Sequence, residues 1–222
     1  MTYGRLGDVI ATGLTDRLDV RERTVLERRA RIKAGAEEPF PLDPGGWWYA
    51  VPGETYEGLF DALGLHDRFP VTLYEGSGVE DLPWRRPALP TFVTPELDGW
   101  RLIFGNLPDV VGIDWDDWMG ATERLSAACG QAQMFYEDSA GGSDVWVVAE
   151  KGVIRRRYAA ENDPEWLGDP DEELEGAAEA CRHLSIDPTT LGPTTRMSGC
   201  GWLALTEPDV GHEGLPALVG LE

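Results

Sequence analysis

The chain predicts an α+β fold: a mixed or mostly antiparallel sheet with helices packed on it, plus a charged N-terminal helix. Three observations predict it. By hydrophobic spacing, residues 100–158 run strand, helix, strand, strand. Residues 145–149 (Val-Trp-Val-Val-Ala) are apolar on both alternating faces, as in a strand covered on each side. The charge is also uneven. Residues 1–38 carry eight Lys/Arg and seven Asp/Glu, a sum of +1, whereas residues 39–222 carry eleven against thirty-three, a sum of −22.

Each element has a local cause. Residues 15–34 read as a helix that Thr15 or Asp16 caps and Gly35 stops. Leu18, Val25, Leu26 and Ile32 give it a thin apolar stripe among Arg and Glu, with Glu27 and Arg31 one turn apart. Such a helix docks on its own domain or serves a homo-oligomer. Pro39, Pro41, Pro44, Gly45 and Gly46 mark a linker, so residues 1–38 are set apart from an α+β domain at 39–206. Residues 47–51 read as a buried strand, 55–63 as a short helix before Gly64, and 69–74 as a strand. Four prolines within 82–95 predict an extended, polyproline-like segment.

Residues 100–104 are the next strand. Asp114 caps a helix whose Trp115, Trp118, Met119, Thr122, Leu125 and Cys129 share a face, and Gly130 stops it. Residues 131–137, 145–149 and 153–158 follow as strands, with Gly152 turning the last pair. The alternation puts Ile154, Arg156 and Tyr158 on one face. From Asp171 a helix carries Leu174, Ala177, Ala178, Cys181 and Leu184 on one side; residues 201–206 are the last strand, and 207–222 read as a flexible tail. Tyr-Glu-x-Ser recurs at 74–77 and 136–139, so the stretches 47–78 and 99–158 are either a repeated unit or alike by chance.

Composition excludes several function classes. A net charge of −21 repels nucleic acid and anionic membranes. No run of eighteen apolar residues exists, and the first residues lack an apolar signal core, so the expectation is a cytoplasmic protein. Three cysteines without paired spacing agree with a reducing compartment. Nucleotide, zinc-protease and hydrolase motifs are absent, and no cofactor is expected.

The candidate chemistry is sparse. Cys200, between two glycines, is the nucleophile candidate, with His183 named as base; the other histidines are His66 and His212. Asp114, Asp117, Glu137 and Asp138 are the candidate oxygen ligands for a metal. Arg156 is either a cross-strand partner or an anion clamp. Residues 161–179 hold nine acidic residues and no basic one, so Asp171, Glu172, Glu173 and Glu175 are candidate contacts for a basic protein, together with Arg156, Glu137 and Asp138. The expected function is a non-catalytic acidic binding protein with a basic protein partner. The alternative is a small motif-free enzyme using carboxylates or Cys200. The acidic, Trp-rich, motif-poor character is shared with small bacterial immunity and adaptor proteins, an analogy of composition alone.

Overall fold

The structure is a computed structural model. It describes residues 3–78, 89–105, 107–138, 140, 143–159, 174, 176–212, 215 and 219.

Among the described residues the architecture is an antiparallel sheet of ten strands with helices packed on it. In chain order the strands are β1 (Trp47–Pro52), β2 (His66–Val71), β3 (Pro90–Val93), β4 (Glu96–Leu97), β5 (Trp100–Gly105), β6 (Gln131–Asp138), β7 (Ser143–Glu150), β8 (Val153–Ala159), β9 (Met197–Ser198) and β10 (Gly201–Leu205). The spatial order is β2-β10-β3-β5-β1-β6-β7-β8, with β4 and β9 in a short side ladder. The helices are α1 (Tyr3–Thr12), α2 (Val20–Ala34), α3 (Leu59–Ala62), α4 (Leu73–Ser77), α5 (Leu107–Val111), α6 (Trp115–Cys129) and α7 (Ala177–Leu184).

Alternation along the strands divides the core in two. Trp47, Tyr49 and Val51 face a cluster with α3, α5 and α6, where Phe60, Leu107, Trp118 and Leu125 are buried. Trp48 and Ala50 face the opposite cluster, built with Leu26 of α2 and with Ala177, Ala180 and Cys181 of α7. On that second face the register aligns one row of aromatic rings: Trp48 opposite Phe135, Phe135 opposite Trp146, Trp146 opposite Tyr158. Such cross-strand neighbours stabilise a sheet beyond its backbone bonds.

The expected strands at 100–104, 131–137, 145–149 and 153–158 are present, and Gly152 turns the hairpin at φ 81°. A bulge corrects the face assignment in β8. Val148 pairs with Arg156 but Ala149 pairs with Ile154, so Arg155 is the extra residue. Ile154 therefore packs in the α6 cluster while Tyr158 packs in the α7 cluster.

Other boundaries also differ. Asp19, not Thr15 or Asp16, caps α2, through a reciprocal capping box with Glu22. The inward face of α2 is Leu26, Ala30 and Ala34, at steps of four, while Val25 and Ile32 point outward at 55% and 68% exposure. Leu73 to Ser77 is helical rather than strand, because the Thr72 side chain accepts from Glu75 N and Glu75 bonds back to Thr72 N. Tyr74-Glu75 thus sits in α4 and Tyr136-Glu137 in β6, so the two Tyr-Glu pairs occupy different structures. Pro90 opens strand β3, where a missing N–H is tolerated; residues 82–88 of the expected proline-rich segment lie outside the described residues. Asp114 stands at the N-cap of α6 but its carboxylate makes no cap bond. Helix α7 spans Ala177–Leu184, and residues 171–173 and 175, where the spacing placed the start of a helix, lie outside the described residues.

The N-terminal and C-terminal segments meet the same body. Val9, Leu18, Leu26, Leu215 and Val219 belong to the cluster that holds Trp146. Lys33 Nζ reaches Glu75 at 2.7 Å and the Val219 carbonyl at 2.9 Å. The proline-rich stretch at 39–46 is laid on the fold: Leu42 is buried and its N–H donates to Pro188 O at 2.9 Å. No helix of the described residues is long and apolar enough to cross a membrane.

Candidate functional site

Helix α7 runs over β6 and β7 because its inward residues are small: Ala177, Ala180 and Cys181 are buried against the sheet. Its start is pinned by Asp144, whose carboxylate accepts the Ala177 N–H. Burial raises the Asp144 pKa, that hydrogen bond lowers it, and nearby Glu137 raises it again, with a net upward shift. Beyond α7, Asp187 caps the following turn and accepts from Thr189 N, Thr189 Oγ1 and Arg182 Nε at 2.9, 2.7 and 2.8 Å. Burial pushes this carboxyl upward, but the hydrogen bonds outweigh it and the pKa lies below its ordinary value.

Between α7 and the chain at 43–48 this leaves a groove of about 410 Å³. Trp48, Asp43, Glu137, Cys181, Arg182 and Asp187 line it. Glu137 N donates to Gly46 O at 2.7 Å, which ties the end of β6 to the 43–46 turn, where the Asp43 carboxylate accepts the Gly45 N–H at 2.9 Å. Both carboxylates are exposed, and neither has an ion-pair partner among the described residues. Trp48 is 3% exposed and packs on Phe135, ring centroids 5.2 Å apart; its indole N–H has no acceptor among the described residues. An unpaired buried donor is rare and costly.

A second cavity of about 270 Å³ lies where α2 crosses the edge formed by β2 and β10. Arg23 and Arg68 line it, but so do Asp16, Glu27 and Glu57, and Arg68 pairs with Glu57 at 3.3 Å. Its charges answer one another and select no ligand class.

Cys200 is buried, and burial pushes its thiol up to about 11 although Arg101 pulls the other way. The thiolate is the nucleophile, so this environment opposes activation. His66 pairs with Leu205, at the far end of β10 from Cys200, roughly 16 Å along a strand of ~3.3 Å rise. His212 is buried beside the Asp67 carbonyl, and burial holds its pKa down to about 4. His183 is exposed on the last turn of α7.

Among the carboxylates, Glu137 faces Asp144 and Asp138 faces Ser143 across β6 and β7. Asp114 and Asp117 stand at the start of α6, which Trp118 brings near the end of β6 through Tyr136, rings 5.3 Å apart. Among the described residues no group of three or more His, Cys, Asp or Glu is spaced to hold a metal ion. Arg156 lies on the aromatic row, 5.5 Å over the Trp146 ring. Asp171, Glu172, Glu173 and Glu175 lie outside the described residues.

The groove thus gathers one expected residue, Glu137, with Trp48, Asp43, Arg182 and Asp187, which sequence reasoning missed. Asp187-Pro-Thr carries a legible cap signature. Trp48 carries none, because its significance is a missing acceptor in three dimensions. Comparison with protein-family models, curated proteins and solved structures finds no match to this chain.

Proposed function

We propose that the protein is a non-catalytic acidic binding protein that engages a basic protein partner. The observation that carries this reading is the pair of exposed carboxylates, Asp43 and Glu137, which line the groove and have no ion-pair partner among the described residues. The surrounding charge agrees, with thirty-three acidic against eleven basic residues over 39–222. A negative surface of this kind speeds encounter with a positive one and repels nucleic acid. The enzymatic alternative finds less support, since the Cys200 thiol is held protonated and Cys200 and His66 stand at opposite ends of β10.

Calorimetric titration with a hexa-arginine peptide tests the reading. Binding is expected at low salt and should weaken steeply as salt rises, because the screening length falls from ~10 Å at 0.1 M to ~3 Å at 1 M. Cys200→Ser should leave this binding unchanged. Absence of binding at low salt, or an affinity indifferent to salt, removes the proposal.

A further inference from the structure

Helix α2 has a second face. Leu26, Ala30 and Ala34 bury one side of it, while Arg21, Val25, Arg28 and Ile32 recur at steps of four, three and four along the opposite side, all exposed. Arg31 is exposed beside them, and none of these arginines has an ion-pair partner among the described residues. The acids of the helix are used elsewhere: Glu22 bonds back to Asp19 N, and Glu27 lines the cavity where α2 crosses the sheet edge. The stripe is therefore cationic and apolar together, on a chain whose net charge is −21. The complementary pattern occurs on the other side of the sheet, where α6 packs. Ile113, 76% exposed, stands just before α6 with Asp114, Asp116 and Asp117, all exposed and without an ion-pair partner among the described residues. The Asp117 carboxylate folds back against Gly112, next to Ile113. An exposed aliphatic residue among carboxylates answers two among arginines, in charge and in polarity.

We propose that the α2 stripe docks on the start of α6 of a second copy of this chain, with Val25 and Ile32 against Ile113 and the arginines against Asp114, Asp116 and Asp117. This goes beyond the basic-partner reading and does not rest on it. Charge selects the occupant. Two stripes face to face would set Arg against Arg, so a symmetric α2 pair is opposed. A nucleic acid offers nothing apolar to Val25 and Ile32, and an anionic membrane is an extended negative plane that also faces the acidic body. A second copy offers carboxylates and an exposed isoleucine at one place. Its own net charge opposes approach, but a screening length of ~8 Å at physiological salt mutes distant charges and spares contact pairs. The contact joins unlike surfaces, so each copy gives one and receives one, and copies add head to tail. One helix stripe is a small interface, so the association is weak and reversible.

Sedimentation equilibrium of the full chain, in about 0.15 M salt and up to about 1 mM protein, tests the docking. The weight-average mass should rise with concentration above the monomer's 24.4 kDa. Arg21→Glu with Arg28→Glu should weaken association by about tenfold, as exposed ion pairs become repulsive. The same exchange on β8 at the far edge of the sheet, Arg155→Glu with Arg157→Glu, should change it by less than about twofold. Asp114→Lys with Asp116→Lys should also weaken it by about tenfold, although the chain becomes less negative and general repulsion between copies falls. The Asp114 carboxylate makes no cap bond whose loss would disturb α6. Mixed together, the two reversed variants of α2 and α6 should associate again, because the changed stripe meets the changed start of α6. A mass fixed at 24.4 kDa overturns the proposal, and binding of that monomer to phosphatidylserine vesicles or to hexa-glutamate would assign the stripe to a membrane or to another acidic protein instead. Association that survives either reversal, or a mixture that stays monomeric, overturns the pairing of these two surfaces. The basic-partner reading is decided separately, by the hexa-arginine titration.

Discussion

Trp146 is fully buried in the aromatic row, its ring stacked on Tyr158 at 6.3 Å and its indole N–H donating to Leu174 O at 3.2 Å. Truncation to Ala removes the ring and strands the Leu174 carbonyl. Trp146→Ala should cost about 3–5 kcal/mol in urea unfolding; a loss under ~1 kcal/mol would show that this row does not pack the core. His212 makes a prediction about pH. Unfolded, it titrates near ~6.5; folded, burial lowers it to about 4. A depressed histidine leaves the unfolded chain holding more protons between these values. Stability is therefore full above about 6.5 and declines as pH falls towards 4, by up to about 3 kcal/mol from this group. Asp67, whose backbone carbonyl the ring faces, is shifted upward by burial and acts in the opposite sense at lower pH. Urea midpoints at pH 7.5 and pH 5, for wild type and His212→Gln, separate the two groups. An identical pH slope in both proteins would remove His212 as the source.

At the scale of elements, α2 is the one whose role changes most between sequence and fold. Its charge sets it apart, yet Leu26, Ala30 and Ala34 are buried, and Lys33 joins it to Glu75 and Val219. Deleting residues 1–38 removes Val9, Leu18 and Leu26 from the shared core. The truncated chain should lose several kcal/mol, at roughly 1.5–3 kcal/mol for each fully buried aliphatic side chain. A truncated chain that unfolds at the wild-type midpoint would show the core to be complete without it. Elements whose signal is local were legible. Helix α6 follows from its spacing and Gly130; β6, β7 and β8 follow from alternation and the turn at Gly152. Elements decided by competition were not. Thr72 and Glu75 cap α4 where side-chain type favours a strand. Pro90 hides β3, and the bulge at Arg155, opposite Val148 and Ala149, leaves no mark in a run of three arginines.

At the scale of the molecule, a sheet covered on both faces explains why the α+β class was readable. Two apolar faces per strand are a strong pattern, and the large rings of Trp47, Trp48, Trp118 and Trp146 are buried between strands and helices. The groove was not readable because its parts are distant in sequence: Trp48 and Cys181 meet only once β1, β6 and α7 are assembled. Only the acidic residue at the end of β6 was visible beforehand, as an exposed charge closing an apolar strand.

The position of β10 has a consequence in time. This strand lies between β2 and β3, pairing Leu203 with Phe69 on one side and with Phe92 on the other. Residues near 70 and near 92 are therefore both completed by residues near 203. Neither β2 nor the outer side of β3 can satisfy its ladder with β10 until residues 201–205 have been made. Closing loops of that length before any reward is collected is slow in entropy terms. During synthesis the emerging chain carries an unpaired apolar edge at Phe69 and Val71, open to association with other chains until β10 slots in.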